Sequence, residues 1–158
     1  MVRAVLMIFM LMLAGCGNQP APESGDQESS AQYDAALATR LGADDYGMHR
    51  YVMALLKAGP NRDQDSTEAA KLQRAHLDNI QRLADEGKLV LAGPFLDDGE
   101  LRGIYVFDVP TVEEARKLTE SDPAIQAGRL VMELHPWYSS AAIMQIPEVH
   151  KKISRKHP

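Results

Sequence analysis

The sequence predicts an α+β domain: a four-stranded antiparallel sheet with two helices on one face, in the order β-α-β-β-α-β. Three observations predict it. A long capped helix from Asp65 to Glu86 follows an apolar strand. A strand pair around the Asp98-Gly99 turn comes next. A second capped helix then leads into a last alternating strand.

His49 to Lys57 (HRYVMALLK) reads as strand one. Tyr51, Met53 and Leu55 point one way and Val52, Ala54 and Leu56 the other. Both sides are apolar, so both faces of the sheet call for cover. Asp65 is a good N-cap, Glu68 completes a capping-box pattern, and Gly87 is the stop. Along this helix Leu72, His76, Ile80 and Leu83 form the apolar stripe, with Asn79 adjoining it.

Lys88 to Ala92 reads as strand two, ended or bent by Gly93-Pro94 because proline cannot donate to a ladder. Strand three is Leu101 to Asp108, broken by Pro110. Thr111-Val112-Glu113-Glu114 opens helix two, which stops near Ser121. Asp122-Pro123 starts a further turn closed by Gly128. Arg129 to His135 is strand four, and Pro136-Trp137-Tyr138 is expected to leave the sheet. The arrangement is ferredoxin-like. No further strand follows to cover the open sheet face. A homodimer packing sheet on sheet is therefore expected.

Outside the domain (46–138), the chain reads in three parts. Residues 1–15 read as a lipoprotein signal peptide: Arg3 precedes ten apolar residues, Ala4 to Leu13, too few for a span of about 20. Leu13-Ala14-Gly15-Cys16 resembles a lipobox, with Cys16 the lipidated residue. That places the protein in the cell envelope, anchored by acyl chains and facing the periplasm or the exterior. Outer-membrane sorting is favoured in a Gram-negative cell, because Gly17 is not the Asp associated with inner-membrane retention. Residues 16–45 hold the Cys, a polar tether with two prolines, and a short helix over Tyr33 to Leu41. Residues 139–158 read as a tail whose Lys151, Lys152, Arg155 and Lys156 are solvated; contact with anionic headgroups is the weaker reading.

Composition is that of an ordinary globular chain: 158 residues, 45% hydrophobic, 25% charged. A net charge of -5 gives no pointer to nucleic acid, and the single cysteine forbids an internal disulfide. No metal is expected: His49, His76, His135, His150 and His157 show no ligand spacing. Nucleotide and serine-hydrolase motifs are missing, and no cofactor is expected.

Leu55-Leu56-Lys57-Ala58-Gly59-Pro60-Asn61, the helix bearing His76 and Asn79, Gly87-Lys88-Leu89 to Ala92-Gly93-Pro94-Phe95, Gly103, Glu113-Glu114-Ala115, Asp122-Pro123 with Gly128, and Pro136-Trp137 follow one another along the chain. In this order and spacing they resemble the YCII-related (YciI-like) domain family. The resemblance implies a dimeric α/β barrel with a pocket holding a His–Asp pair, here His76 and Asp122. Relatives include a dehydrochlorinase of a chlorinated hydroxyquinol, and the wider superfamily includes muconolactone isomerase. Acid–base chemistry on small ring compounds is thus implied.

The residues alone support blander alternatives. An inward histidine is more often a core residue satisfied by a backbone carbonyl, and most Asp-Pro aspartates only cap a helix. One oxygen of Asp122 can cap while the other orients His76. Gly93-Pro94 either ends a strand or lets a ligand approach the backbone. Asn79 can bind a polar ligand group, and Lys57 an anion, though a solvated lysine is commoner. Trp137 lines a pocket mouth or, more in keeping with its size, seals a dimer. Three functions stay open: a His76/Asp122 acid–base enzyme on an unidentified small molecule, a non-catalytic ligand-binding or sensing module, and a structural dimeric envelope lipoprotein.

Overall fold

The computed structural model describes residues 32–156. The signal peptide, Cys16 and the polar tether read from the sequence lie outside the described residues. A short helix α1 (Ala35–Arg40) comes first, capped by Asp34 and followed by Gly42 at φ 65°. The domain then runs β1 (Met48–Ala58), α2 (Ser66–Asp85), β2 (Leu89–Pro94), β3 (Leu101–Phe107), α3 (Val112–Glu120), α4 (Pro123–Gln126) and β4 (Leu130–Ser140). A 3-10 helix (Ala141–Gln145) and α5 (Ile146–Ile153) close it. The strand order is β2-β3-β1-β4, all neighbours antiparallel. This is the ferredoxin-like α+β arrangement.

Local chemistry sets the helix ends. The Asp65 carboxylate accepts from the Thr67 and Glu68 amides, opening α2. Thr111 accepts from the Glu114 amide, opening α3. Gly87 takes φ 70° after α2, a conformation that costs other residues a steric penalty.

The helix-side face holds the main core. Val52, Ala54 and Leu56 of β1, Tyr105 and Phe107 of β3, and Leu83 of α2 are buried together. Leu130, Met132 and Leu134 of β4 pack at its margin. The alternation read from strand one therefore holds residue by residue.

Four sequence expectations need correction. First, strand two does not stop at Ala92 but takes in Gly93-Pro94 and ends at Pro94, which pairs with Gly103. β2 is an edge strand, where a missing N–H is tolerated. Gly103 makes the pairing possible, since a Cβ there would come within 2.5 Å of the Gly93 carbonyl oxygen. Second, Pro136-Trp137-Tyr138 stays in the sheet, paired with Val52, Tyr51 and Arg50. β4 is the other edge strand, so the same tolerance applies.

Third, residues 139–156, the described part of the expected tail, are not a plain tail. Ser139 and Ser140 finish β4, and the following 3-10 helix folds over the second sheet face. Ile143 and Met144 pack against Tyr51, Val90 and Val106, together with Met53, Leu91 and Trp137. Fourth, and as a consequence, the chain itself covers part of the face that had been assigned wholly to a partner. Along the rest of that face Val131, Glu133 and His135 remain exposed.

Candidate functional site

The site is built where α2, β3 and the start of α4 converge. Asp122 precedes Pro123 and caps α4: its Oδ1 accepts from the Ala124 amide at 2.8 Å. Its Oδ2 lies 2.7 Å from His76 Nδ1. Asp122 is 0% exposed and His76 8%. One carboxylate thus caps a helix with one oxygen and holds a histidine with the other.

The hydrogen bond fixes the tautomer. A carboxylate accepts only, so Nδ1 carries the proton and donates. In the neutral ring Nε2 is then an acceptor, and the Tyr105 hydroxyl donates to it across 3.3 Å. The two rings are nearly parallel, 6.2 Å apart at 20°. Burial, with the charge of Asp122 adding to it, pushes the Tyr105 hydroxyl far above its usual range, so it stays protonated and a donor.

Tyr105 was not among the residues singled out from the sequence. The available signal was position: Tyr105 alternates with Gly103 and Phe107 on β3, and a buried tyrosine hydroxyl calls for a partner. Its cross-strand neighbours are Ala54 on β1 and Ala92 on β2, two small residues.

Asn79 lies one turn beyond His76 and is 8% exposed. Its Oδ1 accepts from Arg82 Nη2 at 2.8 Å and lies 3.1 Å from Ser121 Oγ. Arg82 also donates to Ser121 Oγ at 3.0 Å. Because arginine can only donate, the amide orientation is set with oxygen toward Arg82. That leaves Asn79 Nδ2 as a buried donor with no partner among the described residues. Such a group is costly unless something accepts from it.

The remaining residues named from the sequence are placed elsewhere. Lys57 and Trp137 lie on the second sheet face, across the sheet from His76. Lys57 Nζ is 2.5 Å from a Glu133 oxygen, and His135 Nε2 is 2.9 Å from the other. Hydrogen bonding to Lys57 and then His135 holds the Glu133 carboxyl below its usual range. Trp137 packs on Tyr51, ring centres 5.9 Å apart, within the cluster roofed by the 3-10 helix. Pro94 is exposed at the end of β2, on the same face as Tyr105 by register, and Gly93 points to the other face. A shallow groove of about 720 Å³ runs along the outer side of α2 past Ser66, Ala70 and Asp78; its lining includes neither His76 nor Asp122. Among the described residues, no cluster of three potential metal ligands occurs.

No curated protein matches the sequence. Among solved structures, a 5-chloro-2-hydroxyhydroquinone dehydrochlorinase from Burkholderia phenoliruptrix, in complex with 2,5-dihydroxybenzoquinone, shares 18% identity at a TM-score of 0.43. The likeness covers 56% of this chain and 93% of that one, and is too distant to carry a mechanistic argument. The profile of the YCII-related domain matches residues 51–138, from β1 through nearly all of β4. Spanning more than half of the chain and every strand of the sheet, that match makes this protein a member of the YCII-related domain family.

Proposed function

We propose that the chain is an acid–base enzyme acting on a small polar molecule through Tyr105, His76 and Asp122. The observation that carries this is the fully buried Asp122 carboxylate 2.7 Å from His76 Nδ1, with the opposite nitrogen facing the Tyr105 hydroxyl. When Nε2 gains a proton, the imidazolium and the carboxylate balance each other. A proton leaving the substrate passes to the Tyr105 oxygen while the Tyr105 proton moves to Nε2. Tyrosine remains neutral, in keeping with its burial. Asn79 Nδ2, left without an acceptor, binds an oxygen of the substrate and orients it.

One observation favours a second reading, a binding module without turnover. His76 Nε2 is already engaged by Tyr105, and the free donor belongs to Asn79. In either case, residues 1–16 support attachment to the cell envelope through acyl chains on Cys16. The exposed end of the second face, around Val131, Glu133 and His135, is where a second copy would pack.

The test is a thermal-shift screen with hydroxylated aromatic rings and lactones, followed by product analysis of each hit. Hits are expected to stabilise the wild type and Tyr105→Phe, but not Asn79→Leu. Turnover is expected in the wild type and is lost in Tyr105→Phe and His76→Ala. Binding without product in the wild type would leave the binding-module reading. Equal stabilisation of Asn79→Leu would remove both.

A further inference from the structure

The last helix of the domain is turned inside out. α5 carries Ile146, Val149 and Ile153 at helical spacing, and these are 36%, 47% and 73% exposed. No residue of α5 is buried. They line a groove of about 220 Å³ with Ala142, Gln145 and His150. An amphipathic helix normally places such a stripe on the core; here it faces outward. In its last turn and just beyond it, four of the six residues 151–156 are cationic: Lys151 and Lys152 within α5, Arg155 and Lys156 after it. The chain as a whole is acidic, at -5.

We propose that α5 and the basic segment behind it form a contact site for an anionic lipid bilayer. The stripe enters the boundary between headgroups and acyl chains, and Lys152, Arg155 and Lys156 meet lipid phosphates. Lys152 pairs with Glu148 at 2.7 Å and Lys151 with Asp85 at 3.9 Å, exposed contacts that hold a lysine weakly.

Charge and side-chain size select this occupant. Two copies meeting stripe to stripe would bring two cationic clusters together. The polar segment 17–30 has acidic residues for the lysines, but no apolar side chain larger than proline for the stripe. Arg40 at the end of α1 lies 3.7 Å from Glu148, an exposed contact between the C-terminal end of α1 and α5. The membrane contact does not require lipidation of Cys16.

The experiment uses the full chain with Cys16→Ser, which frees the background of thiols. A polarity-sensitive fluorophore is attached at Val149→Cys on the stripe or, as a control, at Asp97→Cys on the exposed β2–β3 turn. Vesicles of pure phosphatidylcholine are compared with vesicles containing phosphatidylglycerol. The expected result is a blue shift at position 149 on anionic vesicles only, with none at position 97. Replacing Lys152, Arg155 and Lys156 by glutamine should weaken the response about a hundredfold, at about fivefold per cation. An unchanged spectrum at position 149 on anionic vesicles overturns the proposal. An equal shift on both vesicle types overturns it as well. A blue shift without vesicles, concentration-dependent or not, shows that protein covers the stripe, and also overturns it.

Discussion

His76→Leu tests the buried pair directly. Leucine fits an apolar helix stripe and recovers about 1–2 kcal/mol of apolar burial. Against this, the fully buried Asp122 carboxylate keeps only its Ala124 amide bond. Breaking a buried pair from one side costs about 3–5 kcal/mol. The Tyr105 hydroxyl loses its acceptor, at about 1–3 kcal/mol more. The net expectation is a loss of about 2–7 kcal/mol, centred near 4, from a total of ~5–15 for a domain of ordinary size. In urea, at ~2 kcal/mol per molar, the midpoint should fall by roughly 2 M. The double variant His76→Leu/Asp122→Asn sharpens the test. Asparagine still accepts from the Ala124 amide but carries no charge, so it should restore about 2 kcal/mol to the leucine variant. Alone, Asp122→Asn should destabilise. Equilibrium urea unfolding followed by circular dichroism measures all four proteins. A loss under about 1 kcal/mol for His76→Leu, or strict additivity of the two changes, would refute the claim that the pair is coupled through a buried charge.

Three further outcomes are expected. His49 donates from both ring nitrogens when charged, to the Gly42 carbonyl and to Asp108, each at 2.9 Å. Burial disfavours the charged ring, but the Asp108 and Gly42 contacts outweigh it and hold the group above its usual 6.5. Its stabilisation is therefore complete below the unfolded value and is lost as pH rises through the folded one. The stability gap between wild type and His49→Gln should be wider at about pH 5.5 than at about pH 9, measured by urea melts at each pH. Gly103→Ala should cost about 1–3 kcal/mol, because the new Cβ would meet the Gly93 carbonyl oxygen at 2.5 Å and backbone must move; thermal melts read it. Deleting everything after Ser140 uncovers Tyr51, Val90 and Val106. That should cost several kcal/mol at about 1–2 per uncovered side chain, and should raise dye binding and concentration-dependent association in light scattering.

Much of the fold is legible in the sequence because its signals are local. Asp65, Thr111 and Gly87 act on amides within a few residues, so the helix boundaries follow from them. The faces of β1 follow from a period of two. The misread prolines have a tertiary reason. Pro94 and Pro136 fall on edge strands, and being an edge strand is a property of the assembled sheet. The 3-10 helix over Tyr51 and Trp137 was missed for the same reason: the short run Ala141–Gln145 gains its partners only once the second face exists.

The candidate site divides along the same line. The sequence determined that His76 points inward on α2 and that Asp122 caps the turn before α4, since both facts depend on helix geometry near each residue. It also allowed that one carboxylate could do two tasks. Only the tertiary structure decided that Asp122 Oδ2 stands 2.7 Å from an imidazole 46 positions away. The packing of β3 under α2 put Tyr105 at the other nitrogen, and packing left Asn79 Nδ2 without an acceptor. The sheet itself separated Lys57 and Trp137 from that group, because side chains of opposite parity emerge on opposite faces. Spacing along the chain holds no information about distances across a sheet, so the His76–Asp122 pair was legible only through the family resemblance, and Tyr105 and the free Asn79 donor were not legible at all.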